Sequence, residues 1–451
     1  MNAGDGPYHA LVPPDEQRTA RQDVSSSLTV GASIAAWSIG AFVFYLIAGR
    51  VLGPEQYGLA AALQSVIIVV AVPIVALQWS AARAIAAGGS AGRTAAMATY
   101  RRGLVRGTAV VLALAIVATG VVIAIAASGR DIPLAALIIT FFAVVLHVPL
   151  LTAEGALQGS HRYVGLAWSY AASGVLRVPL LLLLLLAPIG DVNATVLAVA
   201  IAVGIGAAWA VGLTWPEIRG VGAPPRDEWR QFTSPLPAIV VGLGGIAILQ
   251  NVDVIAAKLS IGGADAGLFG AAAVLAKGLL VVPQALTIVL LPRVAEQEAR
   301  GRPTGSFLAV GVLAMAITGV AAMAVAALIE GPIMKIAFGP EYEPAASLLV
   351  PFIGATTLLG ALLILVNHHV ARSDHRFVWV VGALAVVQIG LLAAFSDSMN
   401  IIITIDAAVA AVGLVAHEVI YAGTDESMIT GASAQARGLM RRVRKSSGGN
   451  Q

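Results

Sequence analysis

The sequence predicts an all-α membrane protein of about twelve transmembrane helices in two six-helix lobes. Three observations predict it. Stretches of roughly twenty apolar residues follow one another along the 451-residue chain, and about twenty helical residues cross the roughly 30 Å hydrocarbon core of a bilayer. The composition is 58% hydrophobic and 11% charged, with a mean hydropathy of +0.88, far from that of a soluble globular domain. Lys and Arg are dense in every second joint between the apolar stretches and sparse in the others.

Residues 1–26 are polar and mixed in charge. They lack the compact basic-then-apolar start of a cleaved signal and read as a cytoplasmic tail. The spans follow at 27–48, 59–79, 107–127, 132–152, 164–187 and 194–214, which places the first lobe over 27–215. The linker 216–235 carries Pro224, Pro225 and mixed charge. The second lobe, 236–421, holds spans at 236–258, 267–291, 307–329, 346–366, 377–395 and 401–421, and a basic cytoplasmic tail occupies 422–451.

An even number of spans puts both termini on one side. With the N-terminus inside, the inner segments hold 21 Lys and Arg residues and the outer joints hold 3, Arg50, Arg130 and Lys335. The positive-inside rule therefore predicts cytoplasmic termini and residence in the cytoplasmic membrane. The remaining three basic residues, Arg177, Lys258 and Lys277, lie within spans.

The halves repeat. Gly58-Leu-Ala-Ala-Ala, Pro73 and Arg83 in the first are answered by Gly267-Leu-Phe-Gly-Ala-Ala-Ala, Pro283 and Arg293 in the second, at offsets of 209 and 210 residues. Each half starts inside, so the repeat is parallel, about a pseudo-two-fold axis normal to the membrane. Transporters built this way place substrate between their halves near the midplane.

Several chemistries are excluded. With no cysteine there is no disulfide, thiolate metal site or cysteine nucleophile. GGSAGRT at 88–94 has the wrong glycine spacing for a phosphate loop, with Arg93 where Lys is required. GLGG at 242–245 follows no strand and is no dinucleotide fingerprint. His417-Glu418 lacks the second His of a zinc helix. The joints are too short to fold a catalytic domain, since below about 40 residues a core needs staples. No enzyme activity, cofactor, metal or nucleic-acid partner is expected.

Several strings carry a family resemblance: VLGPEQYGLAAAL at 51–63, ALQGSHRY at 156–163, VLRVPLLLLLL at 175–185, NVDVIAAKLSIGGADAGLFGAAAVLAKGLLVVPQAL at 251–286, LLPRVAE at 290–296 and IAFGPEYEPAASLL at 336–349. As a set, these resemble the Wzx-type polysaccharide-biosynthesis flippases of the multidrug/oligosaccharidyl-lipid/polysaccharide exporter superfamily. The resemblance implies a twelve-helix, two-lobed alternating-access transporter. It also implies a polyprenyl-diphosphate-linked oligosaccharide as substrate, with membrane lipids and other polysaccharide-assembly membrane proteins as partners. A cation-coupled multidrug exporter and a lipid II flippase of the same superfamily are neighbouring readings. A non-transporting membrane scaffold is a third.

Charge inside a bilayer is costly and marks candidate sites. Arg177 and Lys277 lie near the midplane in opposite halves, by helix rise, and are the candidate substrate-binding cations. Arg can grip a diphosphate bidentately, while Lys acts as a point charge. Asp253, beside Gln250 and Asn251, is the candidate carrier of a coupling proton or sodium ion; it could equally neutralise Lys277 or Lys258. Lys258 is expected to snorkel. Asp406 falls one or two turns inside span twelve, and His147 reads as a satisfied bundle histidine. Among the intramembrane prolines, Pro73 and Pro283 are the candidate hinges, because proline frees a carbonyl and permits a bend.

Overall fold

The structure is a computed structural model that describes residues 14–87, 133–219, 236–284, 305–371 and 375–424, with isolated positions at 102, 230, 233–234, 286, 426–428 and 430. Among these no β-strand occurs. The helices are α1 (Pro14–Ala87), α2 (Leu134–Gly159), α3 (Tyr163–Val175), α4 (Arg177–Leu184), α5 (Asp191–Ile218), α6 (Leu236–Ser260) and α7 (Gly263–Lys277). They continue with α8 (Gly305–Phe338), α9 (Leu349–Ala371), α10 (His375–Phe395) and α11 (Met399–Ile420). Short 3₁₀ segments, Gly278–Leu280 and Pro340–Leu348, follow α7 and α8.

Ten helices among the described residues are long and apolar enough to cross a membrane, and the chain is a multi-pass helical membrane protein. The first of the ten, Gly31–Ala82, has 52 residues. At about 1.5 Å per residue that is far too long for one crossing. It breaks at Gly53 (φ 68°, ψ 170°), a conformation open essentially to glycine alone, and Pro54 starts the second arm. The expected spans 27–48 and 59–79 are these two arms. The expected span 107–127 lies outside the described residues, as do Arg93, Arg293, Pro224, Pro225 and the basic tail from Arg437 to Lys445.

The same break recurs in the second half. Gly262 separates α6 from α7 at φ 69° and ψ −168°, again 209 residues after its counterpart. The repeat legible in the sequence is therefore a repeat of backbone geometry.

Packing follows the small residues. In the first half α2 lies along α1 and α5, and α3 fits between α1 and α5. Gly155 and Gly159 of α2 face the backbone of Gln78 and Ala82 with no room for a side chain. In the second half α10 lies along α6, where Gly242 and Gly245 meet Val378 and Val381, and α9 packs on α8 and α11. The halves meet where α1 contacts α6 and α7, with a further contact to the end of α8. At one end of the first half, Arg162 donates to the Leu213 carbonyl (2.9 Å) and pairs with Glu217 (3.1 Å). Exposed Trp79, Trp168, Trp209 and Trp215 cluster by sequence at that same end, the aromatic belt expected at a membrane interface.

Candidate functional site

A buried polar constellation lies in the second half. Close approach of α6 and α10 along Gly242 and Gly245 brings Gln388 of α10 to the Leu249 carbonyl of α6 (3.4 Å). One turn further along α6 stands Asp253, fully buried. Lys277, the last residue of α7, reaches back to it. Its Nζ donates to Asp253 Oδ1 (2.8 Å), Asp253 Oδ2 (2.6 Å) and the Gln250 carbonyl (2.6 Å). All three ammonium hydrogens are thereby used. The Phe352 ring of α9 lies 5.5 Å from the ammonium.

The pair is asymmetric in exposure. The Lys277 side chain is 17% exposed, while that of Asp253 is 0%. The cation is the face the pair presents. Of the two roles open to Asp253 in the sequence, ion carrier or structural counter-ion, the geometry contains the second at least: Asp253 is the partner of Lys277 and not of Lys258. Lys258 instead lies near Glu55, across the halves.

A second carboxyl joins the group from α11. Asp406 accepts a hydrogen bond from Gln388 Nε2 (2.6 Å) and lies close enough to Asp253 to feel its charge. Gln388 is 1% exposed, and its Oε1 is buried without a hydrogen-bond partner. Two carboxyls, one ammonium and one amide thus meet where four helices converge.

Arg177 belongs to a different cluster. It is 4% exposed and opens α4, directly after the irregular turn at Leu176 and two residues ahead of Pro179. Its Nε donates to the Ser173 carbonyl (2.6 Å), and its guanidinium stands 5.9 Å from the Trp37 ring centre. Tyr45 and His147 are close enough to feel its charge. Those neighbours belong to the first half, and those of Lys277 to the second. His147 bonds through Nδ1 to the Ala143 carbonyl (2.7 Å) of its own helix. Pro73 lies within continuous helix, and the break in α1 falls at Gly53, twenty residues earlier. Pro283 follows the 3₁₀ turn Gly278–Leu280 and is buried.

Three buried polar features escape a search for charge within apolar spans. Gln388 is uncharged. Glu154, 1% exposed and accepting from Ser169 Oγ (2.7 Å), falls beyond the expected end of span four at 152, because α2 runs on to Gly159. His368 and His369 likewise fall past the expected end at 366. His369 meets His417 through their Nε2 atoms (3.0 Å), and His368 meets Glu426 (2.7 Å). Reading helices past the last apolar residue would have found these last two groups. No group of three or more His, Asp or Glu residues is placed to hold a metal ion among the described residues.

No protein-family model and no curated protein sequence matches the chain. Solved structures do. A eukaryotic MATE transporter, AtDTX14, is 16% identical with a TM-score of 0.58, covering 93% of this chain and 99% of that one. The lipid II flippase MurJ in an inward closed conformation is 11% identical with a TM-score of 0.62, covering 86% and 85%. A MOP superfamily transporter from Pyrococcus furiosus, described by the reverse polarity of its binding pocket, is 14% identical with a TM-score of 0.54, covering 84% and 93%. The chain therefore has the all-α fold of the MATE and MOP transporters.

Proposed function

We propose that this chain is a flippase that moves a polyprenyl-diphosphate-linked oligosaccharide across the cytoplasmic membrane by alternating access, for cell-surface polysaccharide assembly. The observation that carries this reading is that each half of a transporter fold holds a cation among its helices, Arg177 in one and Lys277 in the other. Charge at such depth is retained at a cost and favours an anionic cargo. Lys277 is the open member of its ion pair, so an anion approaching the pair meets the ammonium first. Arg177 brings a fork suited to a diphosphate once rearrangement of the α3–α4 turn opens its surroundings. Rocking of the halves about the α1–α7 contact would then pass the headgroup across while the lipid tail stays in the bilayer.

The test is to delete the gene and measure the cell's polyprenyl-diphosphate-linked oligosaccharides by lipid extraction and mass spectrometry. Accumulation of one such species, reversed by the wild-type chain, is expected. An unchanged pool in a strain without a second flippase sinks the reading. A second reading, a cation-coupled multidrug exporter, is favoured by the carboxyl pair Asp253 and Asp406. It predicts an unchanged pool and raised sensitivity to cationic drugs.

A further inference from the structure

Two imidazoles that share a hydrogen bond hold one hydrogen between their facing nitrogens. His369, in the last turn of α9, and His417, in the last turn of α11, meet in this way, Nε2 to Nε2 at 3.0 Å. Both are buried, at 1% and 0% exposure. Neighbouring rings hold them in register. Tyr421 stacks on His369 (4.4 Å between centres, 15° between planes), and Phe377 of α10 meets His417 edge-on at 5.0 Å.

The chain beyond α11 folds back onto this pair, at the end that the positive-inside rule assigns to the cytoplasm. Glu418 fastens it. Its Oε2 accepts from Ser427 Oγ (2.9 Å), and its Oε1 accepts from the Met428 amide (2.8 Å) and stands 3.2 Å from His417 Nδ1. A carboxylate only accepts hydrogen bonds, so His417 Nδ1 carries a hydrogen. His368 adds a second fastening to Glu426 (2.7 Å). Ser427 is buried by this seating.

Proton count limits the pair. With no extra proton, His369 donates from Nε2 and the bare Nε2 of His417 accepts. With one, His417 is an imidazolium that donates to Glu418 and to His369. With two, both Nε2 atoms carry hydrogens that point at each other, and two like charges face one another in a buried place. The contact survives none or one and breaks on the second.

The surroundings supply counter-charge for one. α9 contributes His368, α11 contributes Glu418 and the returning segment contributes Glu426. α10 contributes Phe377, with the exposed Arg376 before it. Among the described residues, α6, α7 and α8, which also pack on α9 or α11, bring no charged residue to this end. Glu426 is engaged by His368, which leaves Glu418 as the carboxylate against the pair.

We propose that His369 and His417 form an acid-released latch. It ties the ends of α9 and α11 together under the segment 424–430 and lets both go when the second imidazole takes a proton. Imidazole is the side chain whose ordinary titration, at about pH 6.5, makes such a switch usable near neutrality. The same two helices carry Phe352 and Asp406, so release at this end loosens two of the four walls around Lys277. The latch stands independently of what the chain carries.

The experiment is pulsed electron resonance on the full chain in lipid nanodiscs. One spin-labelled cysteine is introduced at the exposed Ile401 of α11 and one at Ala432, just beyond the seated segment. At about pH 8 a single narrow distance is expected, and a broad population should replace it as the pH falls to about 5. His369→Gln keeps a hydrogen-bonding partner for His417 but cannot charge, so it should hold the narrow distance to the acid end. Glu418→Ala should give the broad population throughout, because three donors lose their acceptor. A wild-type distribution unchanged over this range overturns the proposal, as does a narrow one in Glu418→Ala. So does release of His369→Gln along the wild-type curve, which would place the switch in the carboxylates. Nitrogen-15 resonance of the wild-type histidines decides the matter even if a variant fails to fold. While the distance is narrow, His369 and His417 should show at most one imidazolium between them, and two in that state sink the latch.

Discussion

Gly58 and Gly267, equivalent positions in the two halves, pack directly on one another. A Cβ on Gly58 would lie 2.7 Å from the Gly267 amide nitrogen, and one on Gly267 would collide with the Pro54 carbonyl. A residue touches its own symmetry mate only beside the axis that relates them. The pseudo-two-fold therefore passes between the second arm of α1 and α7. Gly58→Ala and Gly267→Ala should each destabilise the chain by about 1–3 kcal/mol through overpacking. Gly267→Ala should cost more, because its Cβ would overlap the Pro54 carbonyl far more deeply than a Cβ on Gly58 would overlap the Gly267 nitrogen. Thermal unfolding in detergent checks the order, and equal melting temperatures for both variants and wild type would refute it.

The two breaks make a second pair. Gly53 and Gly262 share one backbone conformation, closed to residues with a Cβ. Gly53→Ala and Gly262→Ala should each cost about 1–3 kcal/mol, and by similar amounts, because the strain is local and the same. Unfolding measurements on the two variants test the equality. A large loss at one site with none at the other would show that the repeated geometry is not equally constrained.

Much of this was legible in the sequence because hydropathy reports lipid contact directly. The arms of α1 and helices α2 to α11 fall on expected spans, and the glycines at 58 and 267 marked the repeat. What hydropathy does not report is which face of a helix meets which neighbour. Whether Asp253 would pair with Lys277 or Lys258 depended on the rotation and depth of α6 and α7, which the close packing at Gly242 and Gly245 sets. Gln388 was invisible because an amide carries no charge to stand out against an apolar run. Glu154, His368 and His369 were missed for another reason: a helix continues wherever its own backbone bonds are satisfied, and that limit differs from the edge of the apolar stretch.

Arg177 should be the more sensitive of the two cations to conservative change. Its guanidinium is buried, and a point charge cannot reproduce bidentate contact with a diphosphate. Loss of one charged hydrogen bond is worth about 1.5–3 kcal/mol, roughly ten- to a hundredfold in affinity. In the deletion strain, Arg177→Ala should leave the lipid-linked glycan accumulated, and Arg177→Lys should clear it only in part, at matched protein levels in the membrane. Full clearance by Arg177→Ala would remove this residue from the headgroup site.

The halves are also tied at the end bearing Gly53. Arg50 donates through Nε to the Ala337 carbonyl (3.0 Å) and through Nη2 to the Ile336 carbonyl, both in the last turn of α8. Tyr342 Oη donates to the Gly49 carbonyl (2.7 Å), and the rings of Tyr57, Phe338 and Tyr342 fill the space between. In the alternating-access cycle proposed above, these bonds would break when this end opens, so they would bias the chain towards the state in which it is shut. The neutral Tyr342 bond is worth about 1 kcal/mol, roughly a fivefold shift in population, and the bonds from the charged but exposed Arg50 guanidinium are worth at least as much. Arg50→Ala and Tyr342→Phe should each populate the open end by that order, and together by the product if the bonds act independently. The chain has no cysteine, so a spin-label pair at Val51 and Ile336 can be introduced cleanly and its distance distribution read by pulsed electron resonance. A longer-distance population that grows with each substitution is expected. A distribution unchanged in the double variant would mean that the closure is held elsewhere, by the Gly58–Gly267 contact itself.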